Sequence, residues 1–188
     1  MLPVNTVARL CIAATLALAL APWGPARADD EAPGEAFGDW KVEQARAEDG
    51  SAICRLASDV EGMAGEAGLV AAADGAMFLS FREDRAQMRD DWVGQSVRVA
   101  FADGGHFALP IARLIRSAGT TRRMSTLLAR LEQANGTVLR SFYASNSLSL
   151  LLPDGSVHDA LLTGAGDAAK ALSACTQRIR EGAGQSNP

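Results

Sequence analysis

Apolar and polar residues alternate along several short segments, and this alternation predicts β-strands. Residues 40–43 alternate with a period of two, and residues 52–57 do so again after the polar turn AEDGS. Because strand side chains repeat every two residues, Cys54 and Leu56 should share one inward face. Pro110 should place its strand at a sheet edge or end it. The other predicted strands are residues 69–73, 76–82, 97–101, 106–111, 137–143, 148–152 and 157–163.

Two segments have the 3.6-residue spacing of an amphipathic helix instead. The first has apolar residues at i, i+3, i+4 and i+7, namely Met124, Leu127, Leu128 and Leu131. We predict an internal helix here, capped by Thr120 or Thr121 and ended by Gly136. The second, residues 167–180, carries one apolar stripe of Ala168, Leu172, Cys175 and Ile179. We predict a C-terminal helix here that ends before Gly182 and buries Cys175.

Many short strands and few helices define the expected fold class. The pattern predicts a mainly β (α+β) protein, a compact antiparallel β-sandwich-like domain with one internal helix and a C-terminal helix. We place this single β-rich domain at residues 37–182. The acidic segment 29–36, which contains Pro33 and Gly34, is expected to be a disordered arm, and residues 183–188 a flexible tail.

The first 28 residues have the three parts of a signal peptide. Arg9 supplies a positive charge, residues 10–21 are apolar, and Ala26-Arg27-Ala28 matches a cleavage site. The apolar run of about 12 residues is too short to span about 30 Å of hydrocarbon. We therefore predict cleavage after Ala28, a periplasmic or secreted protein, and no membrane insertion of the mature chain.

The net charge of the mature chain argues against one class of partner, nucleic acid. The leader holds two of the 18 basic residues and none of the 22 acidic ones, so the mature net charge would be −6. Nonspecific nucleic-acid binding depends on basic groups that neutralise phosphates, and an acidic chain is poorly suited to it. We expect a protein or small-ligand partner at the cell envelope.

Two cysteines would remain after cleavage, Cys54 and Cys175. An even cysteine count in an exported chain predicts one disulfide between them. A metal site would need more ligands at suitable spacing, and a redox pair is usually C-x-x-C, so both alternatives are weaker. We predict no metal site and no cofactor.

The sequence contains few side chains suited to catalysis. Ser156, His158 and Asp159 could be assembled into a hydrolase triad, but neighbouring strand residues point to opposite faces. His106, after a Gly-Gly turn, is the other histidine. No phosphate loop, dinucleotide fingerprint or nucleophile elbow is present in the sequence. We predict no catalytic residues, with a hydrolase using His158 or His106 as the alternative.

Two tryptophans are candidates for binding or packing. Trp40 lies on the first predicted strand, where a tryptophan more often packs the core, so we assign it a structural role. Trp92 follows Asp90 and Asp91 in a charged segment. It is the candidate binding residue.

The segments FGDWKV (37–42), the hairpin that carries Cys54, and LLTGAGDAAKALSAC (161–175) together resemble the invasion-associated locus B-like family of small exported alphaproteobacterial proteins. The first strand of that family often has a cysteine where this chain has Gln44, and a middle cysteine pair is absent here. Membership as a divergent member would imply an exported β-rich domain without known catalytic residues. The expected function is therefore a non-enzymatic binding, envelope or host-interaction factor, with an accessory subunit of a secretion or envelope complex as a further alternative.

Overall fold

The computed structural model describes residues 34–58, 66–83, 88–118, 123–131 and 135–185. The predicted leader, most of the acidic arm and the last three residues lie outside these ranges. The elements within them are β1 (Glu35–Phe37), β2 (Trp40–Arg46), β3 (Ala52–Ser58), β4 (Glu66–Ala72), β5 (Met77–Glu83), a 3₁₀ turn (Asp90–Trp92), β6 (Ser96–Phe101), β7 (His106–Ala118), β8 (Arg123–Arg130), α1 (Asn135–Ala144), β9 (Ser147–Leu151), β10 (Val157–Leu161) and α2 (Ala169–Gln185).

The strands are all antiparallel and follow the order β1-β2-β3-β4-β5-β8-β7-β6-β9-β10. The long strand β7 belongs to two layers, because its first half pairs with β6 and its second half with β8. A register shift between Ile111 and Arg113 marks a bulge, which bends the strand at this point. We call β1–β5, β8 and the second half of β7 the large sheet, and β6, β9, β10 and the first half of β7 the small sheet.

The two sheets enclose one core. Phe81 of the large sheet contacts His158 of the small sheet, with ring centroids 5.5 Å apart. Alternate residues of each strand point into this core, as the two-residue period requires. Leu56, Leu69, Leu79, Leu127 and Leu150 are all fully buried there.

Both helices complete the same core. α2 packs on β2, β3 and β4, with Leu172, Cys175 and Ile179 buried. Phe142 of α1 meets Trp40 edge-to-face at 5.8 Å between ring centroids. The small sheet and α2 therefore lie on the same, inner side of the large sheet.

The predicted fold class is confirmed, but the predicted position of the internal helix is wrong. Residues 123–130 form β8, and the helix lies at 135–144, where we expected a strand. Leu127 and Leu128 are both buried, although they point to opposite faces of β8. A strand that is buried on both faces produces a short apolar run, which periodicity cannot distinguish from a helix. The proposed caps at Thr120 and Thr121 lie outside the described residues.

The true helix α1 has a helical pattern that the strand assignment overlooked. Three buried residues of α1, Val138, Ser141 and Phe142, and the buried Ser145 directly after its last residue lie at i, i+3, i+4 and i+7. Two of them are serines, so counting apolar residues alone misses the stripe. The hydroxyl of Ser145 accepts a hydrogen bond from the Asp103 amide at 3.3 Å, so this buried position is polar and satisfied.

Three boundaries also differ from expectation. β1 begins at Glu35, inside the segment expected to be an arm, because it pairs with β2. α2 continues through Gly182 to Gln185. Pro110 does not end β7 but lies beside its bulge, just before Ile111 begins to pair with β8. A proline is tolerated there because the hydrogen-bond ladder is already interrupted.

The predicted disulfide is confirmed: Cys54 of β3 is bonded to Cys175 of α2, with Cα atoms 6.0 Å apart. The bond joins residues 121 positions apart in sequence. It fixes the C-terminal helix to the second strand of the first hairpin, on the inner face of the large sheet.

Replacing both cysteines by alanine should lower the free energy of unfolding by about 4 kcal/mol, because the unfolded chain regains the entropy of a long loop. Urea denaturation of the double variant and of the wild type measures this change. Wild-type protein in reductant is the control and should lose a similar amount. An unchanged unfolding midpoint in both samples would contradict the prediction.

Candidate functional site

The outer face of the large sheet forms a concave groove, which we call the outer groove. It encloses about 840 Å³. Its floor comes from the alternate residues of β3, β4, β5 and β8 that point away from the core. Apolar side chains dominate this floor, namely Ile53, Ala57, Val70, Ala72, Phe78 and Leu128.

Two floor residues are as buried as core residues, although no other layer of the described structure covers them. Val70 is 7% exposed and Leu128 is 9% exposed. The outward positions of an antiparallel sheet are usually polar when that face meets water. The packing of the core therefore does not explain why the outer face of the large sheet is apolar and recessed.

Gly68 lines the groove at a point where neighbouring strands approach closely. A Cβ atom at this position would collide with the backbone carbonyl of Leu56 and lie 2.9 Å from the Ser80 hydroxyl oxygen. Only glycine fits without a shift of the neighbouring strand. The strand register places Gly68 between Ala57 of β3 and Ser80 of β5.

Charged side chains surround the apolar floor. In the described part of the chain the groove is lined by five arginines, Arg46, Arg55, Arg82, Arg113 and Arg130, and by four acids, Glu48, Asp49, Glu66 and Asp74. Arg82 pairs with Glu66 at 3.4 Å, and Arg113 with Glu48 at 3.6 Å. Their long aliphatic stems can lie on apolar surface while the charged ends remain in water.

A buried carboxylate anchors one side of the groove. Glu43 is 7% exposed and forms ion pairs with Arg55 and, at 3.0 Å, with Lys41. Burial alone would raise the pKa of Glu43. The hydrogen bond from Lys41 and the charge of Arg55 outweigh burial and bring the pKa below its ordinary value of 4.5. Glu43 therefore holds the Arg55 side chain in place at neutral pH.

The sequence-predicted tryptophans lie away from this groove. Trp40 is 2% exposed, and its indole N–H donates to the Thr163 carbonyl at 2.8 Å. Trp92 is buried in the core at 4% exposure. The flanking Asp90 pairs with Arg116 at 2.9 Å. The structure thus presents the Trp92 ring to the core, and a binding role for it finds no support in this placement.

The two histidines lie on different faces of the small sheet and do not form a triad with the acids near them. His158 Nε2 is 3.1 Å from Ser156 Oγ, but that hydroxyl donates to Asp154 at 2.6 Å. Asp159 points to the other face, where it accepts from Ser149. In a triad the acid orients the histidine, whereas here Asp154 binds the serine within a turn.

His106 lies in a shallow depression on the outer face of the small sheet, with Arg98, Ala100 and Val157. Within the described ranges, no three side chains of the metal-ligating types cluster together. Neither α1 nor α2 is long and apolar enough to cross a membrane.

Sequence reasoning did not find the outer groove, although β4 carries a signal for it. The run AGLVAA (residues 67–72) contains no polar side chain. Such a continuous apolar strand indicates burial on both faces. The side chains of Ala67, Leu69 and Ala71 point into the core. The alternate residues Val70 and Ala72 point to the outer face, where they add apolar surface that the core does not use.

Comparison with known proteins adds little to this geometry. No protein-family model matches the sequence. No curated protein matches it either. Among solved structures, the chain is similar to the crystal structure of invasion associated protein B from Bartonella henselae, with 14% identity and a TM-score of 0.47, over 78% of this chain and 99% of that chain. This likeness by itself establishes neither a family nor a function.

Replacing Glu43 with glutamine should lower the free energy of unfolding at pH 7 by about 1–3 kcal/mol, because Lys41 and Arg55 lose a charged, buried partner. The pKa of Glu43 is lower in the folded than in the unfolded state, so its stabilisation is present above about pH 4.5 and disappears as the pH falls through the folded pKa. Urea denaturation of both proteins at neutral and acid pH tests this.

The matched control is Glu48→Gln, because Glu48 is 67% exposed and pairs with Arg113 at the surface. Such a pair contributes about 0–1 kcal/mol, so this variant should be close to wild type. Equal losses of stability in the two variants would contradict this account of Glu43. So would a difference in the free energy of unfolding between Glu43→Gln and the wild type that becomes larger in acid.

Proposed function

We propose that this chain is an exported, non-enzymatic binding protein of the cell envelope, and that the outer groove is its binding site. The observation that carries the proposal is the recessed apolar floor on a sheet face that no other described layer covers. Val70 and Leu128 are the most buried apolar residues of that floor, and Arg55 and Arg130 lie on either side.

The size and composition of the groove suit a small ligand. Ligand sites typically have volumes of about 300–1,000 Å³ and combine apolar lining with a few polar groups. The outer groove, at about 840 Å³, has that combination. A recessed apolar surface with charged groups around it is the usual arrangement of a small-ligand site, so it favours a binding role.

Three observations support export. The first 28 residues have the features of a signal peptide, and the disulfide between Cys54 and Cys175 is of a kind that persists in oxidising compartments. The resemblance of both ends of the chain to the invasion-associated locus B-like family points to the same compartment. A non-enzymatic role is supported by the separation of His158 from Asp159 and by the placement of His106 on the opposite face.

Filling the groove should abolish binding of an apolar probe. Ala57 lies on the floor, so the larger side chain of Ala57→Phe would project into the groove. We expect the neutral dye N-phenyl-1-naphthylamine to fluoresce on the wild-type protein and to bind about tenfold more weakly, or not at all, to this variant.

The matched control is Ala100→Phe, an alanine of similar partial exposure on the outer face of the small sheet. Fluorescence titration of the three proteins gives the comparison, and circular dichroism checks that all are folded. Absence of dye binding to the wild type, or loss of binding in Ala100→Phe alone, would refute the outer groove as the binding site.

A further inference from the structure

The arginines that line the outer groove are not equivalent. Arg55, Arg82 and Arg113 each pair with a carboxylate, and Arg46 donates to the Gly50 carbonyl at 3.1 Å. Arg130 forms no ion pair or hydrogen bond with any residue that the structure describes. It is therefore the groove-lining arginine whose charge is available to a ligand.

Arg130 stands at one end of an apolar row that crosses the sheet. The strand register places Arg130 opposite Phe78, Phe78 opposite Val70, and Val70 opposite Arg55. Neighbouring strands are about 4.8 Å apart, so the row from Arg130 to Arg55 spans about 14 Å. Leu128 lies two residues before Arg130 and widens the apolar surface beside Phe78.

The two ends of this row differ in charge. Arg55 is already neutralised by Glu43, which also binds Lys41. Of the two arginines that end the row, Arg130 is thus the one without a paired carboxylate among the described residues, and apolar side chains lead away from it. A ligand complementary to this row has one anionic end and one apolar body.

The backbone of the floor excludes one common class of ligand. An extended peptide gains affinity by adding a strand to a free sheet edge. The floor strands β3, β4, β5 and β8 each pair with a neighbour on both sides, so they offer no such edge. The groove therefore recognises a ligand through side chains alone, which favours a flexible apolar chain over a peptide strand.

We propose that the outer groove binds a single-chain anionic amphiphile. Its carboxylate or phosphate head pairs with the Arg130 guanidinium, which can donate two parallel hydrogen bonds to either group. Its acyl chain, about 12 carbons long to match the row, lies on Phe78, Val70 and Leu128. This inference rests on the proposed function, since it names the ligand class of the same groove.

Calorimetric titration with three probes of equal chain length tests the proposal: dodecanoate, dodecyl phosphate and uncharged dodecanol, all below micelle-forming concentrations. The wild type should bind at least one anion about tenfold or more tightly than dodecanol. The anion that binds more tightly identifies the head group. In Arg130→Gln this preference should disappear, while dodecanol affinity stays unchanged, and Arg130→Lys should retain part of it.

The matched control is Arg98→Gln, an exposed arginine on the outer face of the small sheet, which should bind like the wild type. Equal affinity for dodecanol and both anions, or loss of anion preference in Arg98→Gln instead of Arg130→Gln, would overturn the proposal. The neutral-dye titration distinguishes the two failures: dye binding without anion preference refutes only the ligand class, whereas no dye binding refutes the groove itself.

Discussion

One-sided packing on the large sheet determines the rest of this structure. The small sheet and α2 both cover its inner face, and the bond between Cys54 and Cys175 fixes the helix there. The bulge after Ile111 turns β7 so that the small sheet can reach the same side. Trp40 and Phe142 then close one part of the core. Within the described ranges, every layer that packs on the large sheet lies on this inner side.

The side chains on the outer face of the large sheet do not pack in the core, so this face can serve as a binding surface. Its apolar residues, Val70 and Leu128 above all, are recessed in a groove that charged side chains of both signs surround. The buried pair of Glu43 and Arg55 gives one side of the groove a fixed polar wall, while Arg130 leaves the other side positively charged. The same sheet thus supplies a packed core on one face and a polarised binding surface on the other.

The fold was largely predictable from sequence, whereas the candidate site was not. Alternation placed most strands, and export with an even cysteine count predicted the bond between Cys54 and Cys175. Periodicity failed at Leu127 and Leu128, since a strand buried on both faces mimics a helical stripe. Burial on both faces of β8 is also what indicates the outer groove, because Leu128 lies on the groove floor. Arg130 could not be selected from sequence, because whether a described residue pairs with it depends on which strands lie beside it.

The central claim is that the outer face of the large sheet binds an anionic amphiphile, and NMR titration of the labelled protein with dodecanoate tests it most directly. The account predicts saturable backbone-amide shift changes in β3, β4, β5 and β8, strongest near Phe78 and Arg130. Small or absent changes are expected in β6, β9 and β10. Saturable changes confined to the small sheet around Arg98 and Val157, or no saturable changes at all, would contradict it.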